Sequence, residues 1–332
     1  MARLKDVARE AGVSLSAASI VLGGHSRTIG ASQETRRRIL EAAKRLGYSP
    51  SPAAISLSTG KTNTLGLFFS NSWDFFTHPN GALVLVSMCN SAAEQGYRVL
   101  LASFSPGTPI DVRLMDACIV NGSVSDACAL QLEELARQIP VVSTYRKIPG
   151  AIAVNSDGGR KPEFAMAADY LYDLGHRHIV IADIKFRVRP AIEEFRQAAI
   201  RRNLDVRLQE FKDEWRDRTY PTIDAICRLD PLPTAVFAFD DDYARALIAR
   251  LGRDRRRCPE DVSVFSGETH ATGFQSAPPL TGTNIFQEQQ SAEIVRRLVD
   301  MLKQDKKGVM EIVLPPVVPQ LIVRQSCATP RS

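Results

Sequence analysis

The stretch LKDVAREAGVSLSAASIVL, residues 4–22, holds two helices and the turn between them. Leu4, Val7, Ala8 and Ala11 recur at i, i+3, i+4 and i+7, so one apolar stripe runs along a short helix. Gly12 follows at once, where a chain leaving a helix often needs a left-handed residue. Ser14 is placed to cap a second helix whose inward side is Ala18, Val21 and Leu22. Two short helices joined through a glycine turn predict a helix-turn-helix, whose second helix enters a DNA major groove. The competing reading is a plain αα-hairpin inside a core.

The residues that follow favour DNA. Ser32 as N-cap, Ile39, Ala42, Ala43 and Leu46 at helical spacing, and Gly47 as a stop predict a third helix. Arg36, Arg37 and Arg38 fall in its first half, where the helix dipole gives cations no help, and are expected to meet phosphates. Residues 1–61 carry 10 Lys/Arg against 4 Asp/Glu, a net of +6, while the remainder carries 32 against 33, a net of −1. A basic excess confined to one module is the electrostatic footprint of a nucleic-acid partner. Leu15, Ser16, Ser19 and Ile20 are expected to face the groove, an apolar set suited to thymine methyl groups.

A chain of 332 residues, 44% hydrophobic and 24% charged, predicts two or three soluble domains with a sizeable core. No apolar run approaches the length of a membrane span and no signal peptide is legible, so a cytoplasmic location is expected. Cys89, Cys118, Cys128, Cys227, Cys258 and Cys327 are scattered without metal-ligand spacing and read as free thiols. From Thr64 onward short apolar runs alternate with helix-length amphipathic segments. Strands are expected at 65–69, 97–102, 117–120, 140–143, 152–154, 179–182, 235–239 and 262–265. Helices are expected at 82–95, 164–174, 192–202, 243–251 and 291–302. This alternation predicts parallel, doubly wound sheets covered by helices, in two α/β domains with a cleft between them.

LKDVAREAGVS, then YSPSPAAISLSTGKTNTLGL from Tyr48 to Leu67, resembles the lactose/galactose repressor family of bacterial transcription regulators. LGHRHIVIA (174–182), PTAVFAFDDDYARAL (233–247), CPEDVSVFSGE (258–268), PPLTG (278–282) and LIVRQS (321–326) extend the likeness over nearly the whole chain. The resemblance implies an all-α helix-turn-helix DNA-binding domain at 1–47, a hinge at 48–61 and a two-lobed, periplasmic-binding-protein-like core at 62–332. Lobe 1 is expected to take 62–154 and 284–313, and lobe 2 to take 155–283 and 314–328. In that family the hinge folds into a short helix on the operator, and a leucine wedges into the minor groove; Leu57 stands at the matching place. Residues 53–57 amount to barely two turns, too few for a stable isolated helix, so folding only on binding is expected. The DNA-contacting set that follows is Leu4, Ser14, Leu15, Ser16, Ala17, Ser19, Ile20, Ser32, Thr35, Arg36, Tyr48 and Leu57.

The family closes its lobes on a small molecule and works as dimers or tetramers. The chain shows no heptad tail after LIVRQS, so a homodimer on a double-stranded operator is expected. At places matching the family's ligand contacts stand Asn155, Asp241 and Glu268. Trp73, Phe75 and Phe76 follow the first strand, Trp215 lies later, and Arg189 is a nearby cation. These point to a sugar-like or other polar metabolite, held by paired hydrogen bonds and aromatic faces. The alternatives are that Asp241 only stabilises a helix N-terminus and that the aromatics only fill a core. Three departures stand out. Ala191 takes the place of the family's effector arginine, Asp240-Asp241 replaces its asparagine–aspartate pair, and only about a dozen residues separate Ser103 from Ala117, where a crossover helix is usual.

An enzyme is not predicted. No Gly-rich phosphate loop, nucleophile elbow or zinc signature is present, and successive aspartates 240–242 cannot all point at one ion. No cofactor or metal is expected. The rival within regulation is a protein of the same fold whose cleft binds no small molecule and which answers to a protein partner.

Overall fold

A computed structural model describes residues 2–23, 32–49, 56, 59–70, 79–122, 124–144, 146–156, 161–184, 188–213, 221–269, 271–284, 286–304, 308, 310–316 and 318–331. Three helices open the chain: α1 (Leu4–Ala11), α2 (Leu15–Leu22) and α3 (Gln33–Arg45). Val7, Ala8, Ala11, Ala18, Val21, Ile39, Ala42 and Ala43 form their common core. The residues are small because three short helices can close on one another only where side chains let the backbones approach. Leu46, expected inside, is the C-cap of α3 and is exposed.

The first α/β unit contains β1 (Thr64–Ser70), α4 (Pro79–Glu94), β2 (Arg98–Phe104), β3 (Ala117–Asn121), α5 (Asp126–Ala136), β4 (Val141–Ser143) and β5 (Ile152–Ser156). The second contains α6 (Lys161–Asp173), β6 (His178–Ile184), α7 (Val188–Arg201), β7 (Arg207–Asp213), α8 (Pro221–Cys227) and β8 (Ala235–Ala238). It continues through α9 (Asp241–Arg253), β9 (Ser263–Ser266), α10 (Ala271–Phe274) and β10 (Thr281–Asn284). The chain then returns to the first unit with α11 (Gln287–Lys303) and β11 (Glu311–Leu314), and to the second with β12 (Gln320–Ile322).

Each unit has a six-stranded sheet, ordered β11-β5-β4-β3-β1-β2 and β12-β10-β9-β8-β6-β7. Every pairing is parallel except β10 with β12. Strands buried on both faces explain why β3 and β8 read as short apolar runs rather than alternating ones. On one face of the first sheet Leu65, Leu67 and Phe69 meet Val84, Met88 and Ala92 of α4 and Val295, Leu298 and Val299 of α11. On the other face Phe68, Cys118 and Val120 meet Cys128, Leu132 and Leu135 of α5. The second sheet packs α6 and α7 on one face, and α8 and α9 on the other. Phe237 is its aromatic centre, with ring centroids of Phe164, Phe195 and Phe265 at 5.8, 5.6 and 5.9 Å.

The strands run past the boundaries drawn from the sequence. Asn155 and Ser156 pair with Val313 and Leu314 in the first sheet, and Asn284 pairs with Gln320 in the second. The ladders continue until the chain turns into each crossover, whereas the apolar runs stop earlier. Between β2 and β3 the chain passes over β1 with residues 105–116, holding only a 3-10 turn at Val112–Leu114. The short crossover is therefore real, and Ile110 and Val112 lie over Phe68 and Phe104 in place of a helix. Sequence reading passed over α5, β7, α8, α10 and β10 to β12.

Candidate DNA interface and effector site

The helix-turn-helix is built by local chemistry. The Ser14 hydroxyl accepts from Ala17 N at 3.1 Å and starts α2, and Ser32 does the same for Thr35 N at 3.1 Å and α3. Gly12 ends α1 with φ of 62°, its N–H turned back to the α1 carbonyls. Leu15, 54% exposed, and Ser16 stand out from the first turn of α2, while Ala17, Ser19 and Ile20 are half-buried along it. Leu4 and Tyr48 sit half-buried against the three-helix core, so each has packing work apart from any contact with DNA. Leu57 lies outside the described residues, but Ser56 and Thr59 on either side are helical.

The three arginines of α3 do not act alike. Arg37 bridges Glu34 at 2.8 Å and Glu41 at 3.4 Å along its own helix, and holds the Glu34 carboxyl below the usual range. Arg38 donates from Nη2 to the carbonyl of Ala11 and, at 3.3 Å, to that of Gly12. It thereby satisfies carbonyls that the end of α1 leaves open and ties α3 to the turn before α2. Arg36 is exposed and has no ion-pair partner among the described residues. Within the module, then, two of the three guanidinium groups have protein partners, and Arg36 is the one left facing outward.

In the second unit, carboxylates gather where β8 and β9 end. Asp240, not Asp241, is the N-cap of α9, accepting from Tyr243 N at 2.8 Å. Asp241 is 3% exposed, and its Oδ1 accepts from the Ser266 hydroxyl at 2.8 Å. Glu268, 4% exposed, follows β9 directly. Arg324, from the segment after β12, donates to Thr269 Oγ1 at 3.0 Å and to the Leu280 carbonyl at 2.7 Å. A Cβ on Gly273 would come within 3.0 Å of Thr269 Oγ1, Asp241 Oδ2 and Arg324 Nη1, so these three groups surround one glycine. Sequence reading missed Ser266, Thr269 and Arg324; the first two lie at and just after the end of β9, the third after β12, and no local spacing joins them to Asp241. Ala191 is fully buried among α6 and α7, so its departure from the family arginine is filled by core packing. Asn155 falls on β5 and Arg189 on α7, whereas Trp73, Phe75, Phe76 and Trp215 lie outside the described residues.

The histidines of LGHRH are not gathered as ligands. His178 Nε2 lies 3.0 Å from Gln209 Oε1 across β6 and β7, and His176 is fully buried. No group of three potential metal ligands occurs among the described residues. All six cysteines are free, and burial pushes the Cys258 thiol up to about 12. No helix among the described residues is long and apolar enough to cross a membrane.

Residues 3–51 match the bacterial regulatory proteins of the lacI family, and residues 168–327 match the periplasmic binding protein-like domain. The chain joins a lacI-family DNA-binding domain to a periplasmic binding protein-like domain. Its relatives include the HTH-type transcriptional repressor PurR of Histophilus somni, 27% identical over 345 residues, covering 99% of this chain and 100% of that protein. The PurR of Vibrio cholerae is 28% identical over 304 residues, 85% of each. Among solved structures, the lac repressor dimer bound to operator and an anti-inducer shares the fold, with a TM-score of 0.75 at 18% identity over 98% of this chain and 99% of that one. The CelR–cellobiose complex aligns with a TM-score of 0.64 at 25% identity over 98% and 100%. With a lacI-family DNA-binding domain the protein is a DNA-binding transcription regulator, and that family is one of regulators rather than enzymes.

Proposed function

We propose that the protein is a repressor that binds a near-palindromic operator as a homodimer and is modulated by a small polar metabolite held between its two α/β lobes. The observation that carries this reading is one chain joining a basic helix-turn-helix, with Leu15 and Ser16 exposed on α2, to an α/β unit with buried Asp241 and Glu268 beyond the carboxyl ends of its strands. Ligands of open α/β sheets bind at that edge. Two equivalent recognition helices require a two-fold site. The PurR repressors among its relatives support the direction of regulation, and the CelR–cellobiose complex supports a polar ligand in this fold. The assigned units are the DNA-binding domain at 1–47, the hinge at 48–61 and the core from 62 onward, with Asn155, Arg189, Trp73, Phe75, Phe76 and Trp215 joining Asp241 and Glu268 in the effector set.

The charge of this site favours an uncharged or amino-bearing ligand over a phosphorylated one. Asp241 and Glu268 are two buried acceptors, Ala191 brings no guanidinium, and the nearby Arg324 guanidinium is already engaged by Thr269 and the Leu280 carbonyl. The test has two arms. Selection of bound duplexes from a random pool should return an inverted repeat. A thermal-shift screen of metabolites should return a hit that releases the operator and loses affinity in Asp241→Ala and Glu268→Ala. A consensus without inverted symmetry refutes the dimer. A hit that binds both variants like the parent refutes the site, and a sugar phosphate as best hit refutes the charge argument. If no metabolite releases the operator, control by a protein partner becomes the reading to pursue.

A further inference from the structure

We propose that Asp116 and Arg98 form a clamp that fixes the direction in which the DNA-binding hinge leaves the first lobe, and so sets the half-site spacing the protein accepts. The proposal rests on the dimeric, two-fold reading above. The clamp holds Thr62 and Asn63, the two residues just before β1. Asp116 Oδ1 accepts from Thr62 N at 2.6 Å and from the Thr62 hydroxyl at 2.8 Å, and Oδ2 accepts from Asn63 N at 2.9 Å. On the carbonyl side, Arg98 Nη2 donates to Thr62 O at 2.8 Å, and Arg98 N donates to Asn63 O at 2.8 Å. All four backbone polar groups of this dipeptide are therefore engaged. The contacts come from the start of β2 and from the end of the short β2–β3 crossover.

The clamp sits beside the hinge. Ser56 and Thr59 are helical, and Gly60 N donates to Ser56 O at 2.8 Å with φ of 68°, the left-handed end of a helical turn. The Thr59 hydroxyl accepts from Lys61 N at 3.0 Å. Only Gly60 and Lys61 thus separate the helical residues from the clamped pair. Asn63 is itself left-handed, with φ of 48°, a conformation that costs a non-glycine residue energy and persists only when its surroundings hold it. A carboxylate that accepts two backbone N–H groups and a hydroxyl supplies that hold. With so short a spacer, the angle at which each hinge departs follows from the angle at Thr62–Asn63. In a two-fold dimer, that angle sets the distance between the two recognition helices. Asp116 and Arg98 are positioning residues, since they act through the hinge.

The experiment uses the full chain and its selected operator, together with duplexes carrying one base pair more or fewer between half-sites. Affinity is measured by fluorescence anisotropy beside that for unrelated DNA. The parent should favour one spacing. Asp116→Ala should lower affinity for the preferred duplex about tenfold, the loss expected when charge-assisted bonds are removed, and flatten the preference while leaving unrelated DNA unchanged. Asp116→Asn keeps one acceptor but presents an amide to Asn63 N–H, so it should fall between the two. Arg98 is exposed, so Arg98→Ala keeps the fold and should shift the spacing profile the same way by a smaller amount. If Asp116→Ala and Arg98→Ala keep the parent's spacing profile, the clamp is merely structural and the proposal is overturned, whatever happens to thermal stability. A parent indifferent to spacing and symmetry removes the dimeric reading first, and the inference with it.

Discussion

Replacing His176 with glutamine should flatten the acid limb of the protein's stability curve. His176 is fully buried in the turn before β6, and desolvation pulls its imidazole down to about 4. The nearby Ala328 backbone works the other way, and the Arg177 guanidinium adds to the fall. In the unfolded chain the ring titrates near 6.5. The folded value is thus the depressed one, so between these limits protons bind the unfolded chain in preference. The contribution is complete above about 6.5 and is lost progressively as pH falls towards 4. That gap, at about 1.4 kcal/mol per pH unit, sets a ceiling of about 3 kcal/mol. Denaturant unfolding of parent and His176→Gln at several pH values between 7.5 and 4.5 isolates the effect, since the other titrating groups are common to both. The variant should be less stable at neutral pH, with a difference that narrows steadily on acidification. Parallel curves would refute the reasoning and mean that the folded protein accommodates the charged ring.

Arg38→Met should lower the stability of the DNA-binding module by about 1 kcal/mol, the scale of an exposed hydrogen bond to a carbonyl, without changing the salt dependence of DNA binding. Arg36→Ala should do the reverse, reducing the slope of log affinity against log salt by about 1; salt titrations of both variants decide the assignment. Gly273→Ala should destabilise the second lobe by about 1–3 kcal/mol, because its methyl group has no room between Thr269, Asp241 and Arg324; thermal melts with and without an identified ligand measure it. Leu57→Ala should weaken operator binding by about 1–3 kcal/mol and reduce DNA bending while sparing non-specific binding. Equal loss on both DNAs would identify a folding defect instead.

Much of the fold could be read from the residues, and what escaped did so for physical reasons. Ser14 and Ser32 announced their helices because N-capping is local chemistry, and both hydroxyls make the expected bond. The apolar runs of β1, β3 and β8 were plain because both their faces are covered. In contrast, α5 buries Leu132 and Leu135 but leaves Leu130 71% exposed, which blurs its stripe. The sequence RLQEFKD of β7 pairs only with β6 at the sheet edge, so charged residues are tolerated there. Thr281–Asn284 is a polar strand whose burial comes entirely from its neighbours; Ser326 Oγ, for instance, accepts from Thr281 N at 2.9 Å. Asp241 and Glu268 were singled out by position, but the Ser266 bond and the approach of Arg324 depend on chain crossings that no local pattern encodes. The separate partners of the three arginines were not legible, because charge alone does not distinguish a phosphate contact from a tie between helices.

The late arrival of β11 and β12 has a consequence for synthesis. Each sheet takes an edge strand from residues 311–322, although their other strands begin at Thr64 and His178. At roughly 5–20 residues per second, the ribosome delivers the three-helix module within the first seconds, but supplies these edge strands only after about 15 seconds to a minute. Throughout that interval the nascent chain carries a DNA-binding head while Val154 and Asn284 still await their partners, β11 and β12. Open sheet edges of this kind invite pairing with the wrong chain. Stalled translation would thus release fragments with a DNA-binding head but no completed lobes to pair or govern it.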